Sequence, residues 1–272
     1  MGKLVKMDLY RLLHSKLFWG MCASMFLILA VITFSYPFIS EFFKGISANK
    51  ESFPQTYDVK FTAILSTPTY GMVGWIRLLI FISAATFLYE DLKGGYIKNI
   101  AGQLPKRSYT VVSKFFVIVV HNFIFLAAGV MGKLLGALAC PKSNILFDDF
   151  SSFGFILFFV KLLLMIAMIS MILFLTTGLR NKTLAIVLGV LLGVDVLNLL
   201  YIGVNSLVSY MGAEGFDLNN YTLDSLYTKE YNISSLSSGD AQLIINSVIV
   251  SVIVTVVFLL LTILMVNKRD IE

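Results

Sequence analysis

Four ionisable side chains interrupt the apolar runs of this 272-residue chain: Arg77, His121, Lys161 and Asp195. A charge at the centre of a bilayer costs about 2.5–3.5 kcal/mol on insertion scales, so each needs a partner, water or a place near the rim. At about 1.5 Å per helical residue, Arg77 and Lys161 sit roughly 9 Å below the outer boundary of their runs, and Asp195 roughly 12 Å below its own. The three can therefore share one level, as a buried ion pair would require. In a competing arrangement Arg77 and Lys161 reach outward singly along their aliphatic stems, while Asp195 is neutral or hydrogen-bonded to a nearby helix. In a third, one of them handles substrate or a proton. For His121 the choice lies between a ligand and a packed, hydrogen-bonded ring. No paired carboxylates, His/Glu metal spacing or Ser/His arrangement falls within the runs, which disfavours an intramembrane enzyme. Cys22 and Cys140 make neither a disulfide framework nor a metal motif.

The elements that must carry these residues are long and oily. The chain is 58% hydrophobic and 14% charged, with a mean hydropathy of +0.86. A soluble domain carries about 25% charged residues, and a surplus of apolar side chains on this scale cannot be hidden in one core. The expected fold is an all-α membrane protein, a single transmembrane domain over 1–272. Six runs are long enough to span: 17–39, 71–89, 112–132, 155–176, 183–204 and 242–266. The first is too long for a cleavable signal, and "FSYPFISEFF" lacks a small-residue cleavage pattern. No proline falls deep inside a run, Pro37 lying near an end. Aromatic residues such as Trp19, Tyr36, Tyr89 and Tyr201 mark the rims. Thirteen of the 21 lysines and arginines fall on the side holding the N-terminus, which places both termini in the cytoplasm. The outer loops are then 40–70, 133–154 and 205–241. The net charge of +5 is scattered at the ends of runs, so its partner is membrane lipid rather than nucleic acid.

Two segments on the inner side read as amphipathic. In residues 1–16, Val5, Leu9, Leu12 and Leu13 share a helical face with Lys3 and Arg11 turned away, as in a helix lying along the interface. Between spans two and three, "YEDLKGGYIKNIAGQLPKRSYTVVSKF" holds five basic residues. Tyr96, Ile97, Ile100 and Leu104 form one stripe, Gly94 and Gly95 favour a turn before it, and Pro105 ends it. An ordinary solvated loop is the bland reading. A short helix across the inner mouth of two spans, at 92–105 within a coupling segment 90–110, is the sharper one.

Glu90 leaving span two, the pair Gly94 and Gly95, Lys98 four residues on, the pattern of Pro105 and Arg107, and Lys114 opening span three form a recognisable set. With "MDLYRLLHSK" at the start and "VNKRDIE" after the last span, the pattern resembles type-2 ATP-binding cassette (ABC) exporter permeases. The likeness is to the bacterial branch that includes lantibiotic-immunity and bacitracin-resistance permeases, and it covers the whole chain. It implies that Glu90, Gly94, Gly95, Tyr96, Ile97, Lys98, Ile100, Leu104, Pro105 and Arg107 couple the spans to a cytoplasmic ABC ATPase. It also implies a second permease subunit, the same or related, and a multi-pass place in the bacterial cell membrane. ATP and Mg are expected only through the partner ATPase, with no cofactor bound by this chain and no catalysis of its own.

The chain has no glycine-rich phosphate loop, since "GVMGKLLG" at 129–136 lacks the spacing. "LSSGDAQ" at 236–242 superficially resembles an ABC signature but reads as a turn and cap before the last span. Two small-xxx-small pairs, Gly189/Gly193 and Gly132/Gly136, permit close helix approach, the first being the expected packing site. In 205–241, acidic residues outnumber Lys229, and stretches such as "VNSLVSYMG" suggest a loop folded back on the membrane. The expected function is export of an amphipathic or membrane-inserted molecule, with antimicrobial-peptide immunity the leading cargo. Alternatives are another small amphipath, a lipid-like molecule or an ion, or else an intramembrane enzyme or secondary transporter.

Overall fold

The computed structural model describes residues 2–46, 57–60, 64, 73–93, 108–141, 143–146, 152–179, 181–193, 202–204, 206–207, 210, 222, 226 and 238–268. The expected coupling residues 94–107 and Asp195 lie outside the described residues.

Helix α1 (Gly2–Leu13) buries Leu4, Asp8 and Leu12, one face at i, i+4 and i+8. Of the expected stripe, Leu12 is among them, while Val5 and Leu9 are partly buried and Leu13 is exposed. α1 packs on helix α4 (Ser108–Ala139), where a carboxylate inside the stripe finds a hydroxyl. The chain then bends at His14 and Ser15. The Ser15 hydroxyl accepts from the Phe18 amide at 3.4 Å and caps helix α2 (Lys16–Ile46). The Trp19 indole N–H donates to the Leu13 carbonyl at 2.6 Å, closing the C-terminal end of α1.

Four helices hold stretches long and apolar enough to cross a bilayer: Lys16–Ile39 of α2, Ser108–Ala139, Phe158–Leu179 of α5 (Ser152–Leu179) and Gln242–Lys268 of α7 (Ser238–Lys268). Two more overlap the second and fifth expected spans: α3 (Val73–Lys93), and α6 (Lys182–Gly193), which covers the first half of 183–204. The molecule is thus an all-α membrane protein in its helical body. The helices outrun the apolar runs from which they were expected. α4 extends at both ends of 112–132, so Lys133 is a buried helical residue rather than part of a loop. At about 1.5 Å per residue α4 reaches about 48 Å, beyond a hydrocarbon core of about 30 Å. α2 also continues through Pro37, which lies inside the helix rather than at its end. The ring removes the N–H that would have bonded the carbonyl of residue 33, a loss that membrane helices tolerate.

Several hydroxyl groups along the spans are satisfied within their own helices. Ser24 donates to Met21, Thr86 to Ile82, Ser170 to Ala167, Thr176 to Ile172 and Thr262 to Phe258. In lipid this back-bonding is the cheapest way to carry a hydroxyl.

α5 is central, with 67% of its most apolar stretch buried, whereas α7 is peripheral at 11%. α2 packs along α4, α7 along α5, and α3 against α6 and α5. One core joins Phe18, Met25 and Leu29 of α2, Phe81, Ala84 and Leu88 of α3, Val117 and Phe125 of α4, and Leu164, Ile169 and Leu173 of α5. At one end of the bundle, strands β1 (Tyr57–Lys60) and β2 (Ser143–Leu146) pair in parallel, Tyr57 beside Ser143 and Lys60 beside Leu146. They lie in two of the three expected outer loops, so those loops meet at one end. The Ser143 hydroxyl donates to the Ala137 and Cys140 carbonyls and finishes α4 there.

Candidate functional site

α3 and α4 bracket residues 94–107, and polar contacts hold this pair. The side chains of Ser83 on α3 and His121 on α4 are hydrogen-bonded at 2.9 Å, Oγ to Nε2, both residues being buried. The imidazole lies between aromatic rings, with centroids 5.2 Å from Phe18 and 5.1 Å from Phe125. His121 is thus a packed, hydrogen-bonded ring that joins α2, α3 and α4. One residue on, the Asn122 amide donates to the Leu162 carbonyl at 3.4 Å and ties α4 to α5. Near the start of α4 the Ser113 hydroxyl donates to the Asp8 carboxylate at 2.5 Å, linking α4 to α1. Lys114 beside it is buried as well. Between Ser113 and Asn122, a stretch of about 14 Å at the helical rise, α4 is tied to three other helices.

Glu90 is exposed at the last described turn of α3. It lines a crevice of about 460 Å³ between that helix end and the α1–α2 elbow. Phe87 stands beside it, and the elbow contributes Tyr10, Arg11, His14 and Lys16. The His14 ring stacks on Tyr10 with centroids 3.8 Å apart, and its Nδ1–H donates to the Tyr10 carbonyl at 2.9 Å. Of the ten expected coupling residues, only Glu90 is described.

At the other end of the bundle, Arg77 and Lys161 are buried at 0% and 4% exposure. Both side chains turn into the protein, away from lipid. The Lys161 ammonium donates to the Leu226 carbonyl at 3.4 Å. Leu226 is itself fully buried and belongs to the main core, and its amide donates to the Thr222 carbonyl at 3.0 Å. Thr222 and Leu226 of the segment 205–241 are therefore packed into the bundle. The expected pairing with Asp195 falls outside the described residues.

The glycines divide differently from expectation. A Cβ on Gly189 would meet Phe81 and Ile172 at 3.7 Å or more, which is ordinary contact. On Gly132 it would come within 2.4 Å of the Phe26 carbonyl oxygen, and on Gly136 within 2.4 Å of that of Ala30. With Gly129 against Met25 and Leu29, the α4 stripe at i, i+3 and i+7 forms the tight seam with α2.

Sequence reasoning passed over Asp8, Ser83, Ser113 and Asn122. Only Asp8 left a signal, a carboxylate spaced four residues from Leu4 and from Leu12. Among the described residues, no three His, Cys, Asp or Glu gather as metal ligands. Comparison of the chain with protein families, characterised proteins and solved structures finds no match.

Proposed function

We propose that this chain is the membrane-spanning subunit of an ABC exporter, with six spans and both termini in the cytoplasm. It works beside a second permease subunit, and separate ATPase subunits hold ATP and Mg. Segment 90–110 receives the ATPase, and the cargo is amphipathic or membrane-inserted, an antimicrobial peptide first among the candidates. The reading rests on the resemblance carried by Glu90, Gly94, Gly95, Lys98, Pro105, Arg107 and Lys114. The observation that best supports it is the bracing of the helices on either side of this segment. Ser83–His121 links α3 to α4, and Asp8–Ser113 links α4 to α1. A push on residues between α3 and α4 would be passed to both helices together, because packed, hydrogen-bonded elements move as bodies rather than deform continuously.

The test is to purify the tagged protein from its native membrane and measure ATP hydrolysis in the preparation. The parent chain is expected to bring down an ATPase. The Ile97→Asp/Ile100→Asp variant is expected to insert normally and lose it, because two desolvated carboxylates without partners would enter the contact. Replacing Lys98 and Lys106 by Gln is expected to have little effect, since solvated rim charges contribute little. An inserted Asp/Asp variant that retains the full ATPase activity would remove the coupling role. A parent chain that brings down no ATPase would remove the reading as a whole.

A further inference from the structure

The crevice at the elbow has features that neither a coupling contact nor helix packing requires. One wall, from the end of α1 and the start of α2, carries Arg11 and Lys16. The end of α3 contributes Glu90. Two cations and one carboxylate thus line one space of about 460 Å³, within the roughly 300–1,000 Å³ typical of small-ligand sites. Its level is set by α2, whose apolar stretch begins at Lys16. Trp19 is half exposed there, with its indole N–H held by the Leu13 carbonyl, in the manner of an aromatic at the membrane–water boundary. Leu17, also lining the crevice, is 38% exposed at the level where the apolar stretch of α2 begins.

We propose that this crevice binds the headgroup of an ethanolamine phospholipid, its phosphate against Arg11 and Lys16 and its ammonium against Glu90. The phosphate gains charge-assisted hydrogen bonds from a guanidinium and an ammonium. The primary ammonium of ethanolamine has N–H donors for the carboxylate. A choline headgroup offers none, and a glycerol headgroup leaves Glu90 facing a net negative ligand. Leu17 lets the acyl chains leave toward the hydrocarbon, which favours a lipid over a soluble phosphoethanolamine. The site requires only that α2 begin at the membrane boundary and is independent of the transport reading.

The test is native mass spectrometry of the full chain in detergent. The probes are phosphatidylethanolamine, phosphatidylcholine and phosphatidylglycerol with identical acyl chains, and soluble phosphoethanolamine. The ethanolamine lipid is expected to be retained about tenfold better than the other two lipids, the scale of one charge-assisted hydrogen bond. Soluble phosphoethanolamine is expected to bind at least about tenfold more weakly than the lipid, for want of buried acyl surface. Glu90→Gln should erase the preference among the lipids while leaving phosphatidylglycerol retention equal or improved. Arg11→Gln/Lys16→Gln should weaken all three. Equal retention of the three lipids by the parent chain overturns the proposal, as does a preference that survives Glu90→Gln. Soluble phosphoethanolamine binding as well as the lipid would overturn the lipid assignment. Because Glu90 is exposed, its variant keeps the test decisive even if the elbow double variant fails to fold.

Discussion

Gly132/Gly136 on α4 and Gly189/Gly193 on α6 carry the same four-residue spacing, yet Gly132 and Gly136 face different neighbours from Gly189. The α4 pair lies against the backbone carbonyls of Phe26 and Ala30, so close that a methyl group on either glycine would displace α2. Gly189 lies at ordinary distance from the side chains of Phe81 and Ile172, where a methyl group has room. Spacing makes close approach possible, but the residue opposite decides whether it happens. The two serines Ser83 and Ser170 repeat the lesson. Each is about 1% exposed, but Ser170 bonds back to Ala167 on its own helix whereas Ser83 reaches across to His121.

The largest expected effect comes from closing the α2–α4 seam. Gly132→Ala/Gly136→Ala should destabilise the protein by about 1–3 kcal/mol per site, because carbonyl oxygens cannot move aside as a flexible side chain can. Thermal unfolding in detergent measures this, and an unchanged midpoint would mean that the seam is looser than described. Next is Ser83→Ala, expected to cost about 1 kcal/mol by leaving His121 Nε2 buried without its partner, near the cross-helix values of about 0.6–1.7 found in membrane bundles. Ser170→Ala should cost distinctly less, since no group on another helix loses its bond. Equal losses at the two serines would refute the distinction between them. The smallest effect belongs to Gly189→Ala. The methyl group fits, and the helix gains from replacing glycine, so the midpoint should hold or rise slightly, the gain being at most about 1 kcal/mol. A fall as large as that at Gly132 would erase the contrast between Gly189 and the α4 pair.

The charges at the two ends of the bundle show where reading along the chain stops. Arg77 and Lys161 stood out because apolar runs make any charge conspicuous, but whether they pair inward or reach outward was open until the structure buried both. Asp8 did not stand out, because in a segment rich in lysine one carboxylate looks solvated. Only the docking of α1 on α4 turned it inward to Ser113. The crevice joining Glu90 to Arg11 and Lys16 was equally hidden, since 74 residues separate Lys16 from Glu90 and no local pattern relates them.

What the sequence determined by itself was the solvent and the elements. Apolar length and the scarcity of charge require membrane-crossing helices, because a backbone in lipid must satisfy its hydrogen bonds internally. Four of the expected runs coincide, to within a few residues at most ends, with the helical stretches long and apolar enough to cross a bilayer. Hydropathy missed the polar extensions of α4, where helical hydrogen bonding continues past the oily run. Tertiary structure alone decided which helix faces which. Lipid is as apolar as the side chains, so hydrophobicity does not distinguish a lipid-facing surface from a helix-facing one. That choice fell to close packing at Gly132 and Gly136 and to the cross-helix bonds of Ser83, Ser113 and Asn122, whose partners lie 38, 105 and 40 residues away.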